Sequence, residues 1–153
     1  MKTLWKNAID MPPVWLLVFL AAVWGQARAF NPANYSGSPS YFVGWFLILL
    51  GLGVATVSIA MFRRHKTTVI PKNVPTTMIT SGPYRYSRNP IYLADAMILL
   101  GFIILKGSVL GLITLPIFML VIQSRFIHGE EAGLAAEFPD QFKAFCGSTR
   151  RWI

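Results

Sequence analysis

The chain has 153 residues, of which 54% are hydrophobic and only 13% charged, with a net charge of +8. A soluble domain carries about 25% charged residues, so the surplus of apolar side chains points to lipid as the solvent. One cysteine excludes an intramolecular disulfide framework, and Lys and Arg clustered beside apolar segments read as membrane topology rather than nucleic-acid binding.

Residues 1–10 form a short polar lead with Lys2 and Lys6. The segment 12–30 is a first candidate span of the ~20 residues that a bilayer requires. A signal peptide competes for it, because Ala27-Arg28-Ala29 loosely imitates a cleavage site. Tryptophans near both ends suit an anchored helix instead, and arginine is a poor residue at a cleavage site. Residues 31–40 are a loop of Asn, Pro, Gly and Ser without charge. A second span covers 41–62 and carries Gly44, Gly51 and Gly53, which suit either close helix packing or a plain lipid-facing surface.

From 63 to 89 the chain holds Arg63, Arg64, Lys66, Lys72, Arg85 and Arg88 and no acid. The positive-inside rule places this loop in the cytoplasm, with Lys2 and Lys6 on the same side across two spans. Within it lies the most chemically dense stretch, residues 80–92, Thr-Ser-Gly-Pro-Tyr-Arg-Tyr-Ser-Arg-Asn-Pro-Ile-Tyr. Gly82-Pro83 marks a turn, and Asn89-Pro90 a helix start with Asn89 as N-cap and Pro90 in the first turn. A third span, 90–105, covers only about 24 Å and must thin the bilayer, let Lys106 snorkel or pack inside a bundle. Lys106-Gly107 is a tight outer turn. The fourth span runs from 108 to about 128, with Pro116 inside it. Leu134, Phe138, Phe142 and Phe145 then recur at helical spacing, as in an amphipathic helix on the membrane or capping the bundle. Pro139 divides this segment into two short helices. The expected architecture is all-α and integral to the membrane, with four transmembrane helices and both ends inside.

Six acids exist in the whole chain, so each one matters. Glu130 and Glu131 follow the fourth span on the face of the basic loop. Adjacent helical residues diverge by about 100°, so one can enter the bundle while the other meets solvent. Acids are also favoured in any first helical turn by the dipole alone. Asp95, one turn into the third span, is either functional or a stabiliser of the helix start. Arg125 either snorkels or faces Glu130 and an anion. His65 and His128 are too few and too far apart for a metal site, and Cys146 reads as an ordinary thiol. No phosphate-binding glycine loop, Ser-His-Asp set or HExxH helix occurs, and four spans leave no room for a doubly wound nucleotide domain.

The run at 80–92, followed by Glu130-Glu131-x-x-Leu134 and Phe138-x-x-x-Phe142, resembles the isoprenylcysteine carboxyl methyltransferase-like family and the related phospholipid methyltransferases. The resemblance covers about 67–153, and its two motifs fall in order on one membrane face. It implies S-adenosylmethionine as cofactor, held by Thr76, Thr77, Met78, Ile79, Tyr84, Asn89, Pro90, Ile91, Tyr92 and Glu130. Arg125, Glu131 and Arg88 are then the candidates for handling the methyl acceptor. A carboxylate acceptor needs only an arginine to hold it, whereas an amine must lose a proton, for which Glu131 or Asp95 is available. The chain becomes a single membrane domain, 1–153. Its N-terminal helical hairpin, 12–62, is scaffold, and 63–153 is the methyltransferase core whose loop and C-terminal helices form the cofactor pocket. The acceptor is a lipophilic molecule or lipid at the cytoplasmic face of an inner or plasma membrane. Asn89 stands where the eukaryotic carboxyl methyltransferases carry histidine, and Pro139 where glycine is usual, so the acceptor need not be a prenylcysteine. The rival reading is a non-catalytic four-helix protein, a compact transporter or assembly subunit. A proton-coupled transporter would want a deep carboxylate, whereas Asp95 is shallow.

Overall fold

The computed structural model describes residues 11–30, 38–65 and 77–153, all helix and connecting turns with no strand among them. The helices are α1 (Pro12–Ala29), α2 (Ser38–Arg64), α3 (Pro90–Leu105), α4 (Gly111–Ile122), α5 (His128–Glu137) and α6 (Pro139–Ser148). A 3₁₀ turn, Gly82–Arg85, precedes α3, and a π-helical segment, Gln123–Ile127, joins α4 to α5. Proline stands in the first turn of α1, α3 and α6, where its missing N–H has no helical partner to lose.

The 90–105 helix is found with the expected bounds, and Gly107 takes the left-handed turn that glycine alone adopts without strain. The helix after it differs from expectation. The ends of the π segment keep right-handed helical backbone angles, so the chain passes from α4 into α5 without a break near residue 128. A π segment inserts one extra residue per turn and rotates everything beyond it, a device often found at functional sites. Here it sits directly before the acid pair. Two helical rods, Pro39–Arg64 and Gly111–Glu137, are long and apolar enough to cross a bilayer, and α3 is apolar but shorter.

The expected hairpin of the first two helices is not a packed pair. α2 lies along α3, while α1 packs against α4 and α3. Glycines explain the first contact. A Cβ added to Gly51 would lie 2.9 Å from the Ala94 carbonyl, and one on Gly101 would lie 2.6 Å from the Gly44 carbonyl, so the two backbones nearly touch. Gly53 meets nothing within 4 Å and faces outward. Of the two readings of these glycines, close packing holds for Gly44 and Gly51. On the other side, Val23 of α1, Leu99 and Ile103 of α3, and Phe118 and Ile122 of α4 form a fully buried core. Phe19 packs edge-on to Phe118 with ring centres 5.3 Å apart. Phe42, Phe46, Leu49 and Leu120 point outward.

A second, smaller cluster closes the motif-bearing end. Ile79, Tyr84 and Phe145 are buried together, with Met61, Phe62, Met78 and Phe142 against them. Phe142 and Phe145 of the C-terminal stripe therefore cap this end of the bundle.

Candidate active site

The loop before α3 is folded onto the end of α2 by Gly82, whose φ of +60° is left-handed and whose missing Cβ would lie 2.6 Å from the Met61 sulfur. The turn that follows drops Tyr84 into the interior, where its ring meets Phe62 edge-on at 5.8 Å. The last turn of α2 is thus a wall of the site. Asn89 directly precedes α3, as expected, but its side chain makes no capping bond to the helix. Its Nδ2 donates instead to the Arg151 carbonyl at 3.2 Å, and its N–H donates to Ser87 Oγ at 3.1 Å. The capping expectation fails because a tertiary acceptor takes the amide.

One turn into α3, the Tyr92 hydroxyl donates to Glu130 Oε1 at 2.6 Å, and its ring leans on Phe126 of the π segment. Residues 38 positions apart are joined here. Glu130 is half-buried, Tyr92 is buried, and Tyr84 is close enough to feel the Glu130 charge. Burial, and secondarily that charge, push the Tyr84 hydroxyl above the ordinary phenol range, so it stays a neutral donor.

Glu131 turns the other way. The expectation that one glutamate of the pair meets solvent is corrected, because Glu130 is half-buried and the Glu131 side chain is only 12% exposed and held by two guanidinium groups. Arg151 binds it through Nε and Nη2, the shortest contact being 2.6 Å, and Arg88 Nη2 lies 3.2 Å away. These hydrogen bonds raise the proton affinity of Arg151 further. Arg88 Nε is buried with no hydrogen-bond partner among the described residues. Such an orphaned donor is costly unless a ligand or water accepts from it.

The other candidates are more scattered. Ile79 is buried beside Tyr84, Met78 is half-buried at the same cluster, and Thr77 is exposed. Thr76 lies outside the described residues. Pro90 is buried and Ile91 half-buried at the start of α3. Arg125 sits with its guanidinium 4.9 Å from the ring centre of Trp15, on the α1 side of the bundle. Asp95, half-buried, lies three residues beyond Tyr92 on α3. Ser87 and Arg151 are the participants that the sequence does not single out; an acid pair in a chain this poor in acids is a signal for cations such as Arg151, whereas Ser87 has no such signal.

A family model for phospholipid methyltransferases matches residues 39–141 of the 153. This chain belongs to the phospholipid methyltransferase family. No curated protein and no solved structure matches the chain. Membership agrees with the resemblance carried by the 80–92 loop and the acid pair, and, because the family is one of methyltransferases, it supports methyl transfer as the chemistry. The phospholipid methyltransferase match also begins at the start of α2 rather than near residue 67, in keeping with the Phe62 and Met61 contacts to the motif loop. α1 and the last residues, 142–153, lie outside it.

Proposed function

We propose that this phospholipid methyltransferase family member transfers a methyl group from S-adenosylmethionine to a lipophilic acceptor, an isoprenoid carboxylate or a lipid head group, at the cytoplasmic face of the membrane. The bundle is read as four spans with both ends inside, in keeping with the basic loop 63–89 and the positive-inside rule. The observation that carries the function is the Tyr92–Glu130 pair, with Tyr84 beside it, at the loop-bearing end of the family-matched helices.

The donor set fits the cofactor. Tyrosine faces and a carboxylate are suitable neighbours for a cationic sulfur, and a carboxylate accepts from ribose hydroxyls. When bound, S-adenosylmethionine supplies an electrophilic methyl group on that sulfur. The protein's part in a displacement at carbon is positioning and exclusion of water. Glu130, oriented by Tyr92, binds a polar part of the cofactor. Tyr84, Ile79, Met78, Thr77 and Thr76 line it, and Asn89, Pro90 and Ile91 set the start of α3 against it. Arg88 and Arg125 are the cations that hold an anionic acceptor group. Glu131, engaged by two arginines, holds Arg88 in place rather than receiving a proton.

The test is calorimetric titration of the detergent-purified protein, with lipid added, by S-adenosylmethionine and S-adenosylhomocysteine. Both compounds bind on this reading. Tyr92→Phe, which frees Glu130 from its positioning bond at a cost of about 1 kcal/mol, weakens binding roughly fivefold. A folded protein that binds neither compound would sink the reading and favour a non-catalytic helical protein.

A further inference from the structure

We propose that Arg151 is a positioning residue for this site, and that the strap it belongs to, residues 149–152, is part of the binding machinery although it lies beyond the family-matched segment. The inference rests on the reading of Glu130 given above. Three sets of contacts carry it.

The strap first holds the motif loop by its main chain. The Arg88 N–H donates to the Arg150 carbonyl at 2.9 Å, and the Arg151 carbonyl accepts from Ser87 Oγ and Asn89 Nδ2, each at 3.2 Å. Residues 87–89, the hinge from the loop into α3, are thereby tied to the strap in addition to the bond from the Leu93 N–H to the Asn89 carbonyl that starts the helix. Second, the strap is anchored at both ends. The Thr149 N–H donates to the Phe145 carbonyl at 2.9 Å, and the Trp152 indole N–H donates to Gln123 Oε1 at 3.2 Å while its ring packs on the main core. Gln123 opens the π segment, so loop, strap and the rod bearing the acid pair form one connected unit.

The third contact gives the strap a consequence for the ligand. Glu130 and Glu131 are chemically identical neighbours separated by about 100° of helical rotation. Nothing in α5 alone dictates which of them meets Tyr92. The Arg151 fork on both oxygens of Glu131, with Arg88 on the same carboxylate, fixes one glutamate on the arginine side. Its neighbour is thereby directed at Tyr92. Arg151 acts through Glu131 and not on the ligand.

The experiment compares wild type, Arg151→Ala and Arg151→Lys in detergent by two readouts. Amide hydrogen exchange on ligand-free protein follows residues 87–89, with residues 96–103 of α3 as the control for an intact core. Titration with S-adenosylhomocysteine follows the site. Arg151→Ala is expected to speed exchange at 87–89 and weaken binding, each by about tenfold or more, with the core unchanged. Arg151→Lys keeps the charge and recovers at least part of both effects, which a role in bulk packing alone would not produce. Should the alanine variant fail to fold, Glu131→Gln removes the same charge pairing and is expected to weaken binding by about the same factor. Unchanged binding and exchange in the alanine variant, or unchanged binding in Glu131→Gln, would overturn the proposal. Wild type that binds neither cofactor form overturns the functional reading instead, and the exchange measurement still decides whether the strap holds the loop.

Discussion

Replacing Glu130 with alanine is expected to weaken S-adenosylhomocysteine binding by about 30- to 100-fold, equivalent to roughly 2–3 kcal/mol for loss of hydrogen bonds to a charged, half-buried group. The Tyr92 hydroxyl would lose its acceptor at the same time, because Glu130 Oε1 is the partner it has at 2.6 Å. Glu130→Gln separates the two contributions. The amide retains an oxygen for Tyr92 but no charge, so binding of S-adenosylmethionine, whose sulfur is cationic, should fall several-fold further than binding of the neutral thioether product. That difference is about 1 kcal/mol, the size of a cation–carboxylate attraction at a partly exposed site. Calorimetry of both ligands against both variants measures it directly. If Glu130→Ala binds as wild type does, the acid pair is not the cofactor site, and its burial has only a structural meaning.

Gly101→Ala should produce the largest loss of stability of any single methyl addition in the bundle. The new Cβ would lie 2.6 Å from the Gly44 carbonyl, 2.8 Å from Ile48 Cγ1 and 3.1 Å from the Ile48 nitrogen. Two of these three atoms are backbone, which cannot rotate away, so α2 must separate from α3. Overpacking of this kind costs about 1–3 kcal/mol or more. In a bilayer the loss is not recovered by hydrophobic burial, since lipid solvates the exposed faces as well as another helix does. A drop in thermal midpoint of roughly 5–10 °C is expected for a chain of this length. Cofactor binding should weaken too, because α2 carries the Phe62 and Met61 wall of the site. Gly53→Ala is the matched control. Its Cβ meets nothing within 4 Å, so only the helix preference for alanine over glycine acts, worth up to ~1 kcal/mol of stabilisation. A Gly101→Ala protein as stable as wild type would show that the two helices do not approach as closely as this geometry requires.

What could be read from the chain alone was what local chemistry dictates. Apolar runs set helix lengths, and Pro12, Pro90 and Pro139 set helix starts. Gly107 sets the turn between α3 and α4, and the acid-free loop and the acid pair mark one end of the bundle as the candidate site. Each of these depends on a residue's own backbone preferences or on the polarity of about twenty neighbours. Tertiary structure decided everything that depends on how one helix is rotated against another. Gly44 and Gly51 face α3 while Gly53 does not, although all three sit in one apolar segment. Asn89 reads locally as an N-cap, yet its amide is taken by a carbonyl 62 residues away. Glu130 and Glu131 are indistinguishable as a dipeptide, and the π segment and two arginines from distant parts of the chain separate them. Helical period and turn chemistry are encoded within a few residues, whereas the partner of a polar side chain is settled only when the whole bundle closes.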